Sequence, residues 1–475
     1  MSCVEVSFVA GYLLMSAKTV QPPLKFIPPV FNPRVTSAAQ KLLPLWLRYR
    51  CIRHIQADGV EQLVELYRQF QLGKTRFLIA FRHPTLDDPI CLTYLLGHIV
   101  PQVARQHSVR LRHPIHAHFI YERGIPLWAG ASTGWLFSRL GATPIHRGKL
   151  DLVGLRSARH LFANGSLPMA AAPEGTINGL SDRVNPLEPG VAQLAFWCLE
   201  DLLSAKRSEQ VAILPVGIKY RYVRTCWQAL EELLKRLESE SGLSVNDSSM
   251  LSTIPCWEQR IFGRLMRLIE FLLSQVEDFY SRFYHQSLSR VGSLDNRLQA
   301  CHNAALNVAE SYFGLPVKGS LIERRHRVEQ AGWDWIYRED IQNLEALSPI
   351  ERGLADRVAQ MTALYLWHIG LFEHLSVSIA DYVREKPTFE RLAETTLLLG
   401  KAIARMKGRN QPLYPFLGQR CVEITVGEAI SVSQRWDAYR TNRRQAVEAL
   451  TKDLQTALRA MTSQPPTEEK VLLVN

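Results

Sequence analysis

Within the run Arg82-His83-Pro84-Thr85-Leu86-Asp87-Asp88-Pro89, four residues separate His83 from Asp88. An imidazole beside a carboxylate is general-base equipment: the carboxylate fixes the tautomer and supports the imidazolium formed when the ring takes up a proton. The same spacing recurs at His146 and Asp151, so spacing alone selects no site. Position does. His83 follows the apolar run RFLIAF at 76–81, where a strand gives way to a loop and catalytic groups tend to be displayed. A second element, Ala172-Pro173-Glu174-Gly175-Thr176, closes the apolar run LPMAAA. Gly175 permits close backbone approach, while Glu174 and Thr176 offer an acceptor and a donor to a polar ligand. Taken by itself the string is also what a strand-to-loop turn with a capping threonine looks like. Between the two lies Gly141-Ala142-Thr143-Pro144-Ile145-His146-Arg147-Gly148-Lys149, in which Arg147 is able to grip a phosphate with two nitrogens. Ile213-Leu214-Pro215-Val216-Gly217 reads as a structural apolar strand.

The elements that must position these residues follow from periodicity. Short apolar runs at 76–81, 115–121, 168–172 and 211–220 predict buried strands, and helix-like stretches at 88–98, 130–140, 151–164 and 190–203 alternate with them. Such alternation indicates an α/β core. Ahead of it, residues 52–60 predict a strand and turn, and 61–71 a helix. Residues 21–35 carry five prolines and predict an extended arm without regular helix, because each ring removes a backbone donor. Residues 41–54 interleave Leu, Trp and Tyr with Lys, Arg and His, the pattern of a short amphipathic helix able to lie in a membrane interface or to pack with a solvated basic side. From Thr225 to about Arg409 only helical periodicity is visible, and Cys421–Val432 then reads as strand and Arg435–Thr462 as a closing helix. The expected domains are therefore an arm and amphipathic helix at 1–50, an α/β domain at 51–223, a helical insertion at 224–410, and a returning strand and C-terminal helix at 411–475. Trp333, Trp335 and Trp367 read as core of the insertion, and 358–372 either as a hydrophobic hairpin or as a buried bundle helix, with burial the default.

The chain has 475 residues, 47% hydrophobic and 21% charged, which excludes a disordered or collagen-like polymer and a single small module. Its longest stretch without Asp, Glu, Lys or Arg runs from Pro89 to Ala104 and contains two prolines, too short for the roughly 20 apolar residues that span a bilayer. The eight cysteines are scattered without a Cys-x-x-Cys pair, which predicts no metal site and a reduced, cytosolic compartment. The first fifteen residues lack a basic n-region and are interrupted by Glu5, unlike a secretory signal; Met15 is an alternative start. The net charge of +11 is uneven: residues 1–82 hold 11 basic against 4 acidic residues, 83–223 hold 14 against 10, and 224–410 hold 23 against 24. A basic front of this kind attracts anionic lipid or an anionic substrate, and no motif supports nucleic acid as the partner.

The ordered set of His-x4-Asp after a strand, Gly with Ile-x-Arg, Pro-Glu-Gly-Thr, and an apolar Leu-Pro-Val strand resembles the four blocks of the glycerolipid acyltransferase family, which includes 1-acylglycerol-3-phosphate acyltransferases and tafazzin-like enzymes. The resemblance covers about residues 52–222 and resumes at 421–432. It implies an acyltransferase-like α/β sheet flanked by helices, here with a large all-helical insertion. It also implies transfer of an acyl chain from acyl-CoA or acyl-carrier protein to a glycerolipid hydroxyl, with lysophosphatidate as the acceptor, on the cytosolic face of a membrane. No cofactor is implied beyond the acyl donor as co-substrate. Carried over residue by residue, His83 is the base and Asp88 its orienting partner, and Arg147, Glu174, Gly175 and Thr176 hold the acceptor phosphate and shape the pocket. Two departures stand out: Arg82 replaces the Asn before the histidine, and Ile177 and Asn178 replace the Arg and Ser after Glu-Gly-Thr. The missing arginine points to a non-phosphorylated or unusual acceptor as the alternative, with Arg183 as a substitute cation. The size of the insertion points to a non-catalytic lipid- or partner-binding scaffold.

Overall fold

A computed structural model of the chain describes residues 19–146, 151–243, 255–372, 375, 379–409, 416–463 and 472–473. Among the described residues, 25–146, 151–223, 419–463 and 472–473 form one compact unit; 19–24 and those between 224 and 418 form the other.

In the first unit the elements run α1 (Pro33–Tyr49), β1 (Ile52–Asp58), α2 (Val60–Gln71), β2 (Thr75–Phe81), α3 (Asp88–Tyr94), α4 (Val100–Gln106), β3 (His118–Glu122), α5 (Ile125–Ala129), α6 (Ala131–Arg139), β4 (Thr143–Ile145), α7 (Leu152–Asn164), β5 (Met169–Ala171), α8 (Gly190–Ser204) and β6 (Gln210–Tyr222). Two of the predicted elements differ instructively. The proline-rich arm is not free of helix, because Pro33 opens α1 at a position whose N–H would have no partner in any case, and the Asn32 side chain caps the first turn at Arg34 N (3.0 Å) and Val35 N (3.2 Å). The helix predicted over 88–98 is interrupted by a π turn at Leu95–Ile99, where Pro101 lacks the N–H that would continue the ladder. Gly97 in that turn leaves room for Gln40 of α1, since a Cβ there would lie 2.7 Å from the Gln40 Cδ. Gln40 in turn donates to the Ile115 carbonyl at 2.8 Å. These contacts, with Leu47 fully buried, place residues 25–50 on the α/β unit rather than in a separate arm, whereas Val20 and Gln21 bond to Asp356 and Ile336 of the helical unit.

The sheet has the order β4-β3-β5-β2-β6-β7-β1-β9, where β7 is Arg420–Val426 and β9 is Leu472–Leu473; β8 (Ile430–Ser431) pairs with β6. The five strands from β4 to β6 are mutually parallel, β7 runs antiparallel to β6, and β1 runs parallel to β7. Alternation along β2 sends Phe77, Ile79 and Phe81 into one core with α2, α3 and α4, and Leu78 and Ala80 into a second core with α7, α8 and the long C-terminal helix Arg443–Ser463. Both faces are thus covered, as a parallel sheet requires. The mixed α/β architecture with a parallel-dominated, helix-flanked sheet follows from these pairings.

The second unit contains α9 (Trp227–Ser241), α10 (Trp257–Tyr284), α11 (Leu294–Phe313), α12 (Leu321–Ile336), α13 (Pro349–Leu371), α14 (Ile379–Glu385) and α15 (Phe389–Met406). Its starts are written in the sequence: Ser320 with Glu323, and Ser348 with Glu351, form capping boxes. Residues 358–371 belong to one continuous helix, not a hairpin, with Ala359, Thr362, Leu366 and His368 buried. Trp333 is buried, Trp335 lies at the surface against Tyr312 and Phe313, and the Trp367 indole donates to the Arg405 carbonyl at 3.1 Å. Three forked ion pairs are buried among these helices: Arg264 with Glu238, Arg297 with Glu277, and Arg324 with Glu310. No described helix is long and apolar enough to cross a membrane.

Removing one partner of such a pair strands a charge in the interior. Glu310 is fully buried and takes the Arg324 Nε and Nη2 at 2.9 and 2.6 Å. Glu310→Ala is expected to cost about 3–5 kcal/mol in urea unfolding followed by circular dichroism, and the double change Glu310→Leu with Arg324→Met is expected to recover most of that loss.

Candidate active site

Strands β2 and β5 are neighbours in register, Ala80 beside Ala171, so their carboxyl ends open side by side. That is where ligands bind in open α/β sheets. His83 leaves the end of β2 and Glu174 the end of β5. Asp88 begins α3, and its side chain is fully buried. The His83 Nδ1 lies 3.0 Å from Asp88 Oδ2, and the same oxygen accepts from the Thr85 N–H at 2.7 Å. Oδ1 accepts from the Tyr220 hydroxyl at 2.5 Å and from Thr85 Oγ1 at 3.3 Å. Burial pushes the Asp88 carboxyl above its ordinary value, while the contacts with His83, Tyr220 and Thr85 pull the other way. An ionised carboxylate only accepts, so Asp88 holds the proton on Nδ1 and leaves the lone pair on Nε2. The His83 side chain keeps 21% of its surface exposed. A buried carboxylate behind a part-exposed imidazole is the arrangement that general-base chemistry uses.

The Glu174 carboxylate faces inward. Its Oε1 accepts from the His83 backbone N–H at 3.0 Å and from Arg82 Nε at 3.3 Å, and Oε2 accepts from the Asn185 N–H at 2.9 Å. Arg82 is fully buried and spreads its remaining donors over the carbonyls of Leu180, Ser181 and Arg183. Glu174 therefore positions His83 and fixes the 178–185 loop, and its carboxylate is engaged by the protein itself. Gly175 has φ +67°, and a Cβ on it would collide with the Glu188 carboxylate, so this turn admits only glycine without strain. Thr176 is half-buried, and its backbone N–H donates to the Glu174 carbonyl at 2.7 Å. Asn178 turns its amide to the Arg183 carbonyl at 2.6 Å.

Asp87, beside the dyad carboxylate in sequence, points the other way and takes Arg50 Nε and Arg420 Nη2, each at 2.7 Å. Burial alone would raise its pKa, but the guanidiniums of Arg420 and Arg50 hold the carboxyl below its usual range. Arg420 also lies over the Tyr220 ring, 5.1 Å from the centroid.

The dyad of His83 and Asp88 is brought together, and Glu174 and Gly175 join it as its frame. Arg147 lies outside the described residues. The competing pair is spent differently: Asp151 caps α7 at Gly154 N, accepts from the His146 backbone N–H and pairs with Arg123. Tyr220, Arg420 and Arg50 were not singled out from the sequence. Alternation along β6, which buries Leu214, Val216 and Ile218 in one core, was the available signal for Tyr220. Nothing local marks the two arginines. No group of three or more His, Cys, Asp or Glu that could hold a metal ion occurs among the described residues.

Replacing Glu174 tests the frame. Glu174→Gln turns one acceptor oxygen into a donor facing the Arg82, His83 and Asn185 donors, leaving the buried Arg82 underpaired. A loss of about 2–4 kcal/mol is expected in thermal or urea unfolding, and a change within experimental error would show that the carboxylate is not needed there.

Comparisons of the chain with models of protein families, with curated proteins and with solved structures find no match.

Proposed function

We propose that the chain is an O-acyltransferase that moves a fatty acyl group from a thioester donor, acyl-CoA or acyl-carrier protein, to the hydroxyl of a glycerolipid, with lysophosphatidate the acceptor that the resemblance implies. The observation that carries this reading is the 3.0 Å contact between His83 Nδ1 and the buried Asp88 carboxylate at the carboxyl end of β2, joined to the ordered sequence blocks. In the proposed reaction His83 Nε2 takes the proton of the acceptor hydroxyl, and the oxygen attacks the thioester carbonyl. The tetrahedral intermediate expels the thiolate, which leaves with the proton returned from the imidazolium. A thioester is already activated, so a placed base with electrostatic support of the oxyanion suffices and a protein nucleophile is unnecessary. Asp88 keeps the ring in the tautomer this cycle needs.

A second acceptor class is favoured by one observation. Of the residues to which the resemblance gives the acceptor phosphate, Glu174 turns its carboxylate inward, to Arg82 and the loop backbone. An acceptor without a phosphate would fit such a frame.

The membrane surface enters through α1. Leu42, Leu45, Trp46 and Tyr49 repeat at helical spacing and are each at least half exposed, with exposed Lys41 and Arg48 beside them. An apolar stripe edged by cations fits the boundary of an anionic bilayer.

Purified protein supplied with labelled acyl-CoA or acyl-carrier protein and a panel of phosphorylated and neutral lysolipids should form labelled diacyl product. His83→Ala should lower that rate by about 10²–10⁴-fold with the circular dichroism spectrum unchanged, and near-full activity in this variant would overturn the mechanism. Leu45→Asp with Trp46→Ser should weaken sedimentation with phosphatidylglycerol vesicles at least about tenfold. Equal binding by the wild type and this variant would remove α1 from the membrane contact.

A further inference from the structure

We infer that Tyr220 is a positioning residue of the His83–Asp88 dyad, held in place by the clamp that Arg50 and Arg420 form on Asp87. The inference rests on the reading of His83 as the base. A buried tyrosine ordinarily satisfies its hydroxyl with whatever acceptor the core supplies. Here the acceptor is the second oxygen of the dyad carboxylate, at 2.5 Å and shielded from solvent. With Oδ2 shared between His83 and Thr85, Oδ1 decides the rotation of the carboxylate about its own axis, and the Tyr220 hydroxyl is the shorter of the two contacts that fix it.

The phenol is itself fixed from behind. The Arg420 guanidinium lies over its ring, and Cys91 Sγ is 3.7 Å from its oxygen. Arg420 reaches this position because β6 and β7 pair antiparallel with Tyr220 opposite Val422 and Tyr222 opposite Arg420. Two consecutive buried carboxylates would repel each other if both stood bare. Arg50 and Arg420 answer Asp87, so the charge on Asp88 is met by donors alone: His83, Thr85 and Tyr220. The groups facing Asp88 are therefore His83 and Thr85 from its own loop, Cys91 from α3, Tyr220 from β6, and, through Asp87, Arg50 from the end of α1 and Arg420 from β7. Burial and the Asp88 charge push the Tyr220 hydroxyl well above its ordinary pKa, so it remains a donor at working pH. Burial likewise pushes the Cys91 thiol well up, and it stays neutral beside them.

The His83–Asp88 dyad titrates as a coupled pair, and the acid limb of the rate profile reports that pair. The Tyr220 hydroxyl lowers the Asp88 pKa, so removing it makes the carboxylate more basic and carries the acid limb to higher pH. In Tyr220→Phe, kcat is expected to drop about 10–100-fold, KM for donor and acceptor to stay within about twofold, and the acid limb to move up by about one pH unit. Arg420→Gln, which leaves the phenol in place but removes its clamp, is expected to move the same limb in the same direction by less, and serves if Tyr220→Phe fails to fold. A fall in kcat with the limb unmoved in both variants would mark a packing role and overturn the inference, as would wild-type kinetics. His83→Ala assayed alongside separates the two failures: retained activity there rejects the base itself, whereas lost activity there with an unmoved limb in Tyr220→Phe rejects only the positioning role.

Discussion

A guanidinium with no exposed surface governs the end of the sheet at which the candidate site lies. Arg82 sits one residue past the end of β2, and a charge in that position is tolerable only if every donor finds an acceptor. Glu174, arriving from the end of β5, supplies the counter-charge, and three carbonyls of the 180–183 stretch supply the rest. Consequences follow for the backbone. The loop after β5 must fold back over Arg82, which the left-handed turn at Gly175 and the Asn178 amide make feasible. The loop after β2 is fixed too, because Oε1 of the same Glu174 takes the His83 N–H and the Gly179 N–H reaches the Pro84 carbonyl at 3.0 Å. His83 is held in place because its neighbour in sequence is buried.

Much of the α/β unit was legible. Strands over 76–81, 168–172 and 211–220, and helices over 151–164 and 190–203, appear within a few residues of their predicted limits because each is a compact apolar run or a clear helical stripe. Harder to read was everything set by contacts distant in sequence. The three-residue strand β4 carries no periodicity of its own and exists because Ile120 to Glu122 of β3 offer it a parallel edge. The π turn at 95–99 is fixed jointly by Pro101 and by Gln40, more than fifty residues earlier. The arm at 25–50 reads as separate until the hydrogen bonds from Val30 and Asn32 to Ser138 and Arg139 of α6 are seen.

The site divides along the same line. His83 and Asp88 lie five positions apart, and the motif finds them only with its place after the apolar run at 76–81, since His146 and Asp151 share the spacing. Glu174 was visible as part of a string, but its role was not: a motif tells which residue is special, and only packing tells whether its carboxylate faces a ligand or the fold. Tyr220 and Arg420 lie 132 and 333 residues from the carboxylates they contact. Their recognition requires knowing that β6 and β7 pair, which two strands separated by a helical unit of nearly two hundred residues do not announce.

That separation has a mechanical meaning. The chain leaves the α/β unit just after Tyr222 and returns at Arg420, and these two residues face each other in the antiparallel pair. An insertion between strands is tolerated when its ends are already close, because closing a long loop costs little more than closing a short one. The β6–β7 ladder, seven residue pairs from Val216–Val426 to Tyr222–Arg420, supplies that closure. It continues the sheet past the parallel core and brings β1 into register on its far side. The same ladder carries, on its last turns, the phenol that meets Asp88 and the guanidinium that meets Asp87. The helical insertion therefore leaves and rejoins the chain at the segment of sheet that backs the dyad, and its length is compatible with a precise site because the closure lies in the ladder and not in the loops.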